Sequence, residues 1–214
     1  MRTNLISDLF RDLYRLSRMG ARPAEVALDP GAWAVATYRV GRKLRSLPRP
    51  IRLPLQLLHR PWESIVRLLT GVRLPAEAEI GGGLYLAHIG DISIAPGAHL
   101  GRDVNVAHGA SIAEGMRDGE RGAPYLGDRV YIGPGAKVLG PIRVGNDVAI
   151  AANAIVDRDV PDGATVGGAP AQVLSMQGSR SMVVRGRKPA SIGAGVRAAL
   201  RKTLPRPLPL LIAP

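Results

Sequence analysis

The sequence predicts a three-sided parallel β-solenoid over residues 72 to 171, from a six-residue period, from the small residues that flank it, and from the exclusion of a helix. One aliphatic residue returns through Leu74, Ile80, Leu86, Ile94, Leu100, Val106, Ile112, Leu126, Ile132, Val138, Val144, Ile150 and Val156. Gly or Ala mostly follows it, as at Gly81, Gly101, Gly127, Gly133, Gly145, Ala95 and Ala151. A small or branched residue stands two before it, as at Ala78, Ala98, Val104, Ala136 and Ala154. A helix with 3.6 residues per turn cannot use a period of six. A short strand and a turn per repeat can: three repeats close one coil, and each coil pairs with the next about 4.8 Å away. The aliphatic side chains then point inward, and the small residues leave room for the turns.

Ahead of the solenoid the period changes to a helical one. From Asn4 to Arg18, Leu5, Ile6, Leu9, Phe10, Leu13 and Leu16 stand opposite Asp8, Arg11, Asp12 and Arg15, which predicts an amphipathic helix. Asp29 followed by Pro30 is a start signal, a carboxylate for the free amides and a proline at the first helical position. That helix is expected to run to about Arg45 and to stop before Pro48 and Pro50. A shorter one is expected from Trp62 to Thr70, closed by Gly71. Together they are expected to cover the unpaired strand edges of the first coil. The expected organisation is a helical region (1–71), the solenoid (72–171) and a basic, partly disordered tail (172–214), with a short helix near Val196 to Thr203.

Charge is divided along the chain. Residues 1–70 hold 13 Lys and Arg against 5 Asp and Glu, residues 71–162 hold 8 against 12, and residues 163–214 hold 8 against none. Basic flanks on an acidic solenoid suit an anionic membrane surface or a polyanion, and equally suit plain surface charge that keeps the chain in solution. Scarce aromatics and no recognition motif argue against nucleic acid. No run of eighteen apolar residues occurs, and MRTNLISDLFRD has acids where a signal peptide needs an apolar stretch, so a cytoplasmic location is expected. The absence of Cys excludes disulfides, thiolate zinc sites and a cysteine nucleophile.

Two interruptions break the repeat. The step from Leu86 to Ile94 is eight residues, enlarging the turn His88-Ile89-Gly90-Asp91, and the step from Ile112 to Leu126 is fourteen, enough for a protruding loop from Glu114 to Pro124. A regular coil needs neither, which makes them candidate functional sites. His88 and His108 each lie two past an inward aliphatic and three repeats apart, so they are expected to stack on one edge. The same count is expected to stack Glu114, Pro134 and Ala152 on a second edge.

The runs GGGLYLAHIGDISIAPGAHLG and RGAPYLGDRVYIGPGAKVLGPIRVGNDVAIAANAIV, followed by VGGAPA, resemble the serine O-acetyltransferase family of hexapeptide-repeat acyltransferases. The match runs from Val72 to Ala171 and includes both long steps. Within the family it is most similar to the branch associated with polysaccharide biosynthesis, where an RGxP loop is common. The resemblance implies a left-handed parallel β-helix, acetyl-CoA as co-substrate, no metal, and His88 as the general base that takes the acceptor hydroxyl's proton. A neutral imidazole suits that task, and the imidazolium can return the proton to the CoA thiolate. It further implies that main-chain groups at Glu114, Gly133, Pro134, Gly135, Ala151 and Ala152 hold the pantetheine arm. With the histidines on one edge and these turns on another, two chains would build each site, giving a homotrimer or a multiple of it.

Departures from the family fall on the acceptor. Family positions that orient the base and hold serine's charged groups are acidic, arginine and histidine, whereas here they are Arg73, Ala87, Gly122 and Ala123. Asp91 is the candidate to orient His88 in their place, and His108 the candidate to contact the acceptor. The acceptor is L-serine or a hydroxyl of a sugar or glycan precursor. Two other classes remain: a non-catalytic solenoidal scaffold, and a metal hydratase like the solenoidal carbonic anhydrases, which needs a third histidine beside His88 and His108. The tail's Arg180, Arg185, Arg187 and Lys188 are candidates to close over the phosphates of CoA or to dock on anionic lipid.

Overall fold

A computed structural model describes residues 5–18 and 23–183 of the chain. Among the described residues, four helices, α1 (Leu5–Arg18), α2 (Pro23–Leu28), α3 (Pro30–Arg45) and α4 (Arg49–Thr70), precede a β-helix built from three parallel sheets. The first face stacks strands Val72–Arg73, Ile92–Ile94, Ser111–Ala113, Lys137–Leu139 and Ile155–Val156. The second stacks Glu79–Ile80, His99–Leu100, Tyr125–Leu126 and Arg143–Val144. The third stacks Tyr85–Ala87, Asn105–Ala107, Tyr131–Ile132, Ala149–Ile150 and Thr165–Gly168. Register follows the aliphatic phase on each face: Ile94 opposes Ile112, Leu100 opposes Leu126, and Val106 lies between Leu86 and Ile132.

The inward residues form one continuous core, in which Leu100, Val106, Leu126, Ile132, Val138, Ile150 and Val156 are fully buried. The small residues two before them, Ala78, Ala98, Ala136 and Ala154, are buried as well. Because neighbours in such a stack cannot collapse far into a void, Ile132→Ala is expected to cost about 2–5 kcal/mol, read from the denaturant midpoint.

The α-helical region seals the first coil with side chains that satisfy its backbone. Tyr38 Oη donates to the Ala78 carbonyl (2.8 Å) and accepts from the Ile80 amide (3.1 Å), while Arg39 donates to the carbonyls of Ile80 and Gly81 (2.6 and 2.7 Å). The Asp12 carboxylate accepts from Arg39 (2.8 Å) and from the amides of Gly83 and Leu84 (2.6 and 2.9 Å). Burial pushes its carboxyl up, and the bonds to Arg39 and the two amides pull the other way. Asp29 caps α3 as its sequence predicts, accepting from the Ala32 amide at 2.7 Å.

Three expectations change. The helix expected only from Trp62 onward begins at Arg49 and runs through Pro54 and Pro61. Pro50, Pro54 and Pro61 fall within about 40° of one another on the helical wheel, so all the lost N–H groups lie on one side. That side is exposed, where water can satisfy the freed carbonyls. The loop after Glu114 is an antiparallel hairpin, Gly115–Arg117 with Glu120–Gly122, held to the body by Arg117 and Asp159 (2.9 Å).

Nor does regular structure end at Ala171. Ala171–Ser175 pairs antiparallel with Thr165–Gly168, and the chain then turns back along the corner between the second and third faces. There the Ser179 amide donates to the Asp147 carbonyl (2.9 Å), the Ser179 hydroxyl donates to the Arg129 carbonyl, and the Met182 carbonyl accepts from Asn105 (3.2 Å). Arg185, Arg187, Lys188 and the helix expected near Val196 lie outside the described residues.

Candidate active site

The enlarged turn joins the third face to the first. His88, Gly90 and Asp91 all have positive φ, at 61°, 124° and 50°. Glycine adopts this region freely, and His and Asp enter it more readily than most side chains. Asp103, Arg129, Asp147 and Asn153 do so at other turns, so the conformation marks a tight turn and it is the enlargement of this one that sets it apart. His88 and Asp91 are both exposed. The next coil docks on the turn through its backbone: the His108 amide donates to the Ala87 carbonyl (3.2 Å) and the Gly109 amide to the Gly90 carbonyl (2.8 Å). This places the His88 and His108 rings edge to face, 6.1 Å apart at 69°. The sequence expectation of two histidines in adjacent coils on one edge is met.

The second edge is not where the sequence count puts it. Two further bonds continue the same corner, from the Gly135 amide to the His108 carbonyl (2.9 Å) and from the Asn153 amide to the Pro134 carbonyl (2.8 Å). Pro134 and Ala152, with Gly133, Gly135 and Ala151 beside them, therefore stack over the histidines. Glu114 lies two past an inward residue of the first face, one corner away, bound to Arg121 at 3.1 Å. The count slips because Glu114 and Pro134 are two repeats apart across the fourteen-residue step, while a coil takes three. Three repeats per coil, carried through both insertions, also add Gly109 and Asn153 to the corner.

One chain thus offers an unbroken ridge of two imidazoles followed by small, main-chain-rich turns. At Gly133 a Cβ would lie 2.7 Å from the Ala152 amide nitrogen, so glycine is required there for the coils to stack, whatever else the turn holds. Asp91 makes no hydrogen bond to His88, and among the described residues neither side chain has a hydrogen-bond partner. The imidazole at this corner is held by its turn and by His108. Arg73 is exposed on the first face, in register with Ser93.

The remaining histidines have other employment. His99 sits on the second face, stacked on Tyr125 (4.3 Å, 5°) and 3.4 Å from Glu79, and His59 on α4 bonds to the Thr37 carbonyl. The fold therefore does not bring a third histidine to the pair, and among the described residues no cluster of His, Asp and Glu suited to a metal ion occurs. The described start of the tail also follows a different corner from the histidines.

The family model described as bacterial transferase hexapeptide (six repeats) matches residues 123–158, the coils that carry Pro134 and Ala152. A serine acetyltransferase of Mycobacterium tuberculosis is 40% identical over 149 residues, covering 69% of this chain and 65% of the relative. A serine acetyltransferase of Helicobacter pylori is 37% identical over 149 residues, covering 69% of this chain and 83% of the relative. The chain belongs to the serine acetyltransferase family. Solved serine acetyltransferases share its β-helix with N-terminal helices. The soybean apoenzyme superposes with a TM-score of 0.67 at 29% identity over 79% of this chain and 69% of that one. The Neisseria gonorrhoeae enzyme in complex with serine gives 0.63 at 27% over 80% and 69%. This serine acetyltransferase family chain spans about two thirds of the length of the mycobacterial relative.

Proposed function

We propose that the chain is an O-acetyltransferase that uses acetyl-CoA, with His88 as general base. The observation that carries the reading is the continuous corner, on which His88 and His108 adjoin the main-chain-rich turns at Gly133–Gly135 and Ala151–Ala152. The pantetheine arm, a chain of amides, suits turns whose carbonyls, already bonded once within the coil, can each accept a second hydrogen bond and whose side chains are too small to block it. The acceptor oxygen attacks the thioester carbonyl as His88 takes its proton. The C–S bond breaks, and the imidazolium returns the proton to the CoA sulfur, so no acyl-enzyme is needed. Glu114, a corner away and paired with Arg121, takes no part in one chain's ridge.

The relatives' names and the neighbour bound to serine support L-serine as acceptor. One observation favours a sugar or glycan-precursor hydroxyl, as in the polysaccharide-associated branch: Ala87, Gly122 and Ala123 offer no charge for an amino acid's ammonium and carboxylate. A homotrimer or a multiple of it rests on the family resemblance alone, because one chain carries both the histidines and the small-residue turns.

Release of free CoA from acetyl-CoA tests the reading, with serine in one series and candidate sugars in the other. Acceptor-dependent release is expected in one series. Its absence with every hydroxyl acceptor would leave the non-catalytic scaffold. His108→Ala is expected to raise KM for the acceptor about tenfold, the loss of one hydrogen bond, with a smaller effect on kcat.

A further inference from the structure

We infer that α4 is an interfacial anchor, whose outer face lies on an anionic lipid bilayer. Ile51, Leu55, Leu58, Trp62, Ile65 and Leu69 form a stripe along it and are all exposed, Leu58 at 75% and Leu69 at 66%. Leu53, Leu57 and Leu68 widen that stripe and are exposed at 61, 73 and 85%. At 3.6 residues per turn the apolar arc spans about 200°, over a helix about 33 Å long. The opposite side, with Val66 and Thr70, is buried. There α4 joins α3 at Thr37, whose carbonyl bonds to His59 and whose hydroxyl accepts from the indole N–H of Trp62 (3.1 Å), so Trp62 marks the edge of the exposed arc.

Charge and backbone identify what covers the arc. Arg49, Arg60 and Arg67 form one exposed row at its margin, within about 20° of one another on the wheel. None makes an ion pair among the described residues. The one acid of α4, Glu63, stands within 3.8 Å of His59 on the side toward α3. The outer face thus presents apolar side chains and cations with no carboxylate, complementary to acyl chains beneath phosphate headgroups. A second copy of the helix fits less well: a helix pair uses a seam of about two residues in seven, far narrower than this arc. Pro54 and Pro61 also project from the middle of the arc, where regular knobs-into-holes packing would need an unbroken helix. No helix of the described residues is long and apolar enough to cross a membrane, which leaves lying in the interface as the way for lipid to cover this face.

The test is vesicle co-flotation of the full chain without acetyl-CoA or acceptor, so its outcome is independent of the acetyltransferase reading. Phosphatidylcholine vesicles with about one third phosphatidylglycerol are expected to carry the protein, and pure phosphatidylcholine to carry about tenfold less. In a Trp33→Phe background, Trp62 emission is expected to shift to the blue on binding. Leu58→Gln with Leu69→Gln, and separately Arg60→Gln with Arg67→Gln, are each expected to weaken binding about tenfold or more. Circular dichroism and mass in solution serve as folding controls. No binding to the anionic vesicles, or binding undiminished by the leucine pair, overturns the inference. A leucine pair that lowers the oligomeric state and leaves vesicle binding intact assigns the face to a second copy instead.

Discussion

His88→Asn is expected to lower kcat for acetyl transfer by about 10²–10⁴-fold while leaving acetyl-CoA binding near the wild-type value. Asparagine is the informative replacement because the residue sits at φ 61°, a conformation Asn accepts and Ala resists. The side chain is exposed and bears no hydrogen bond among the described residues, so stability should hardly change. The turns at Gly133–Gly135 and Ala151–Ala152 keep their backbone and hence their groups for the pantetheine arm. Steady-state CoA release and calorimetric titration with CoA separate the two effects. Wild-type turnover in His88→Asn would remove the general-base assignment and leave the corner without chemistry.

The largest loss of stability is expected at the seal of the first coil. Arg39 and Asp12 are each 2% exposed, bonded to each other and to four backbone groups of the first coil. Arg39→Ala strands a buried carboxylate and leaves two carbonyls without their donor. A cost of about 3–5 kcal/mol is expected, a large share of the 5–15 kcal/mol typical of a whole domain. The urea midpoint reads it. The double variant Asp12→Ala with Arg39→Ala should cost less than the two single variants together, since removing both charges leaves none stranded. Equal additivity would show that the two residues act separately.

The solenoid is written in the sequence because its period of six is shared by no competing local structure, and each inward aliphatic found its face. His88 and His108 were equally legible, both lying two past an inward residue in consecutive coils. Glu114 does not share the corner of Pro134 and Ala152 for a physical reason: the hairpin after it adds residues outside the coil without adding a corner, so the fourteen-residue step is one repeat and Glu114 lies two repeats, not three, from Pro134. The start of α4 was hidden by Pro50, Pro54 and Pro61, which break helices when their lost donors face a core but not when all three face outward. The return of the chain through Ser179 to Asn105 had no signal, since it depends on long-range bonds made by two small polar residues. Asp91 shows the opposite limit, because proximity in the turn did not yield a bond to His88.

Asn105 gives the first and last described segments a common fate. Its side-chain oxygen accepts from Arg15 of α1 at 2.6 Å, and its amide donates to the Met182 carbonyl at 3.2 Å, so the first and last described segments meet on one residue of the second coil. A stack of repeats held only by nearest neighbours frays from its termini, one rung at a time. Here the uppermost coil cannot peel away unless the returning chain lets go of Asp147, Arg129 and Asn105, and the last of these also holds Arg15 of α1, so both segments are tied to the second coil. Opening at either end therefore becomes a step of the whole molecule. Backbone amides as distant as those of Gly83 and Ala151 should exchange with solvent deuterium through a single event, giving an object that is linear in architecture the melting behaviour of a closed ring.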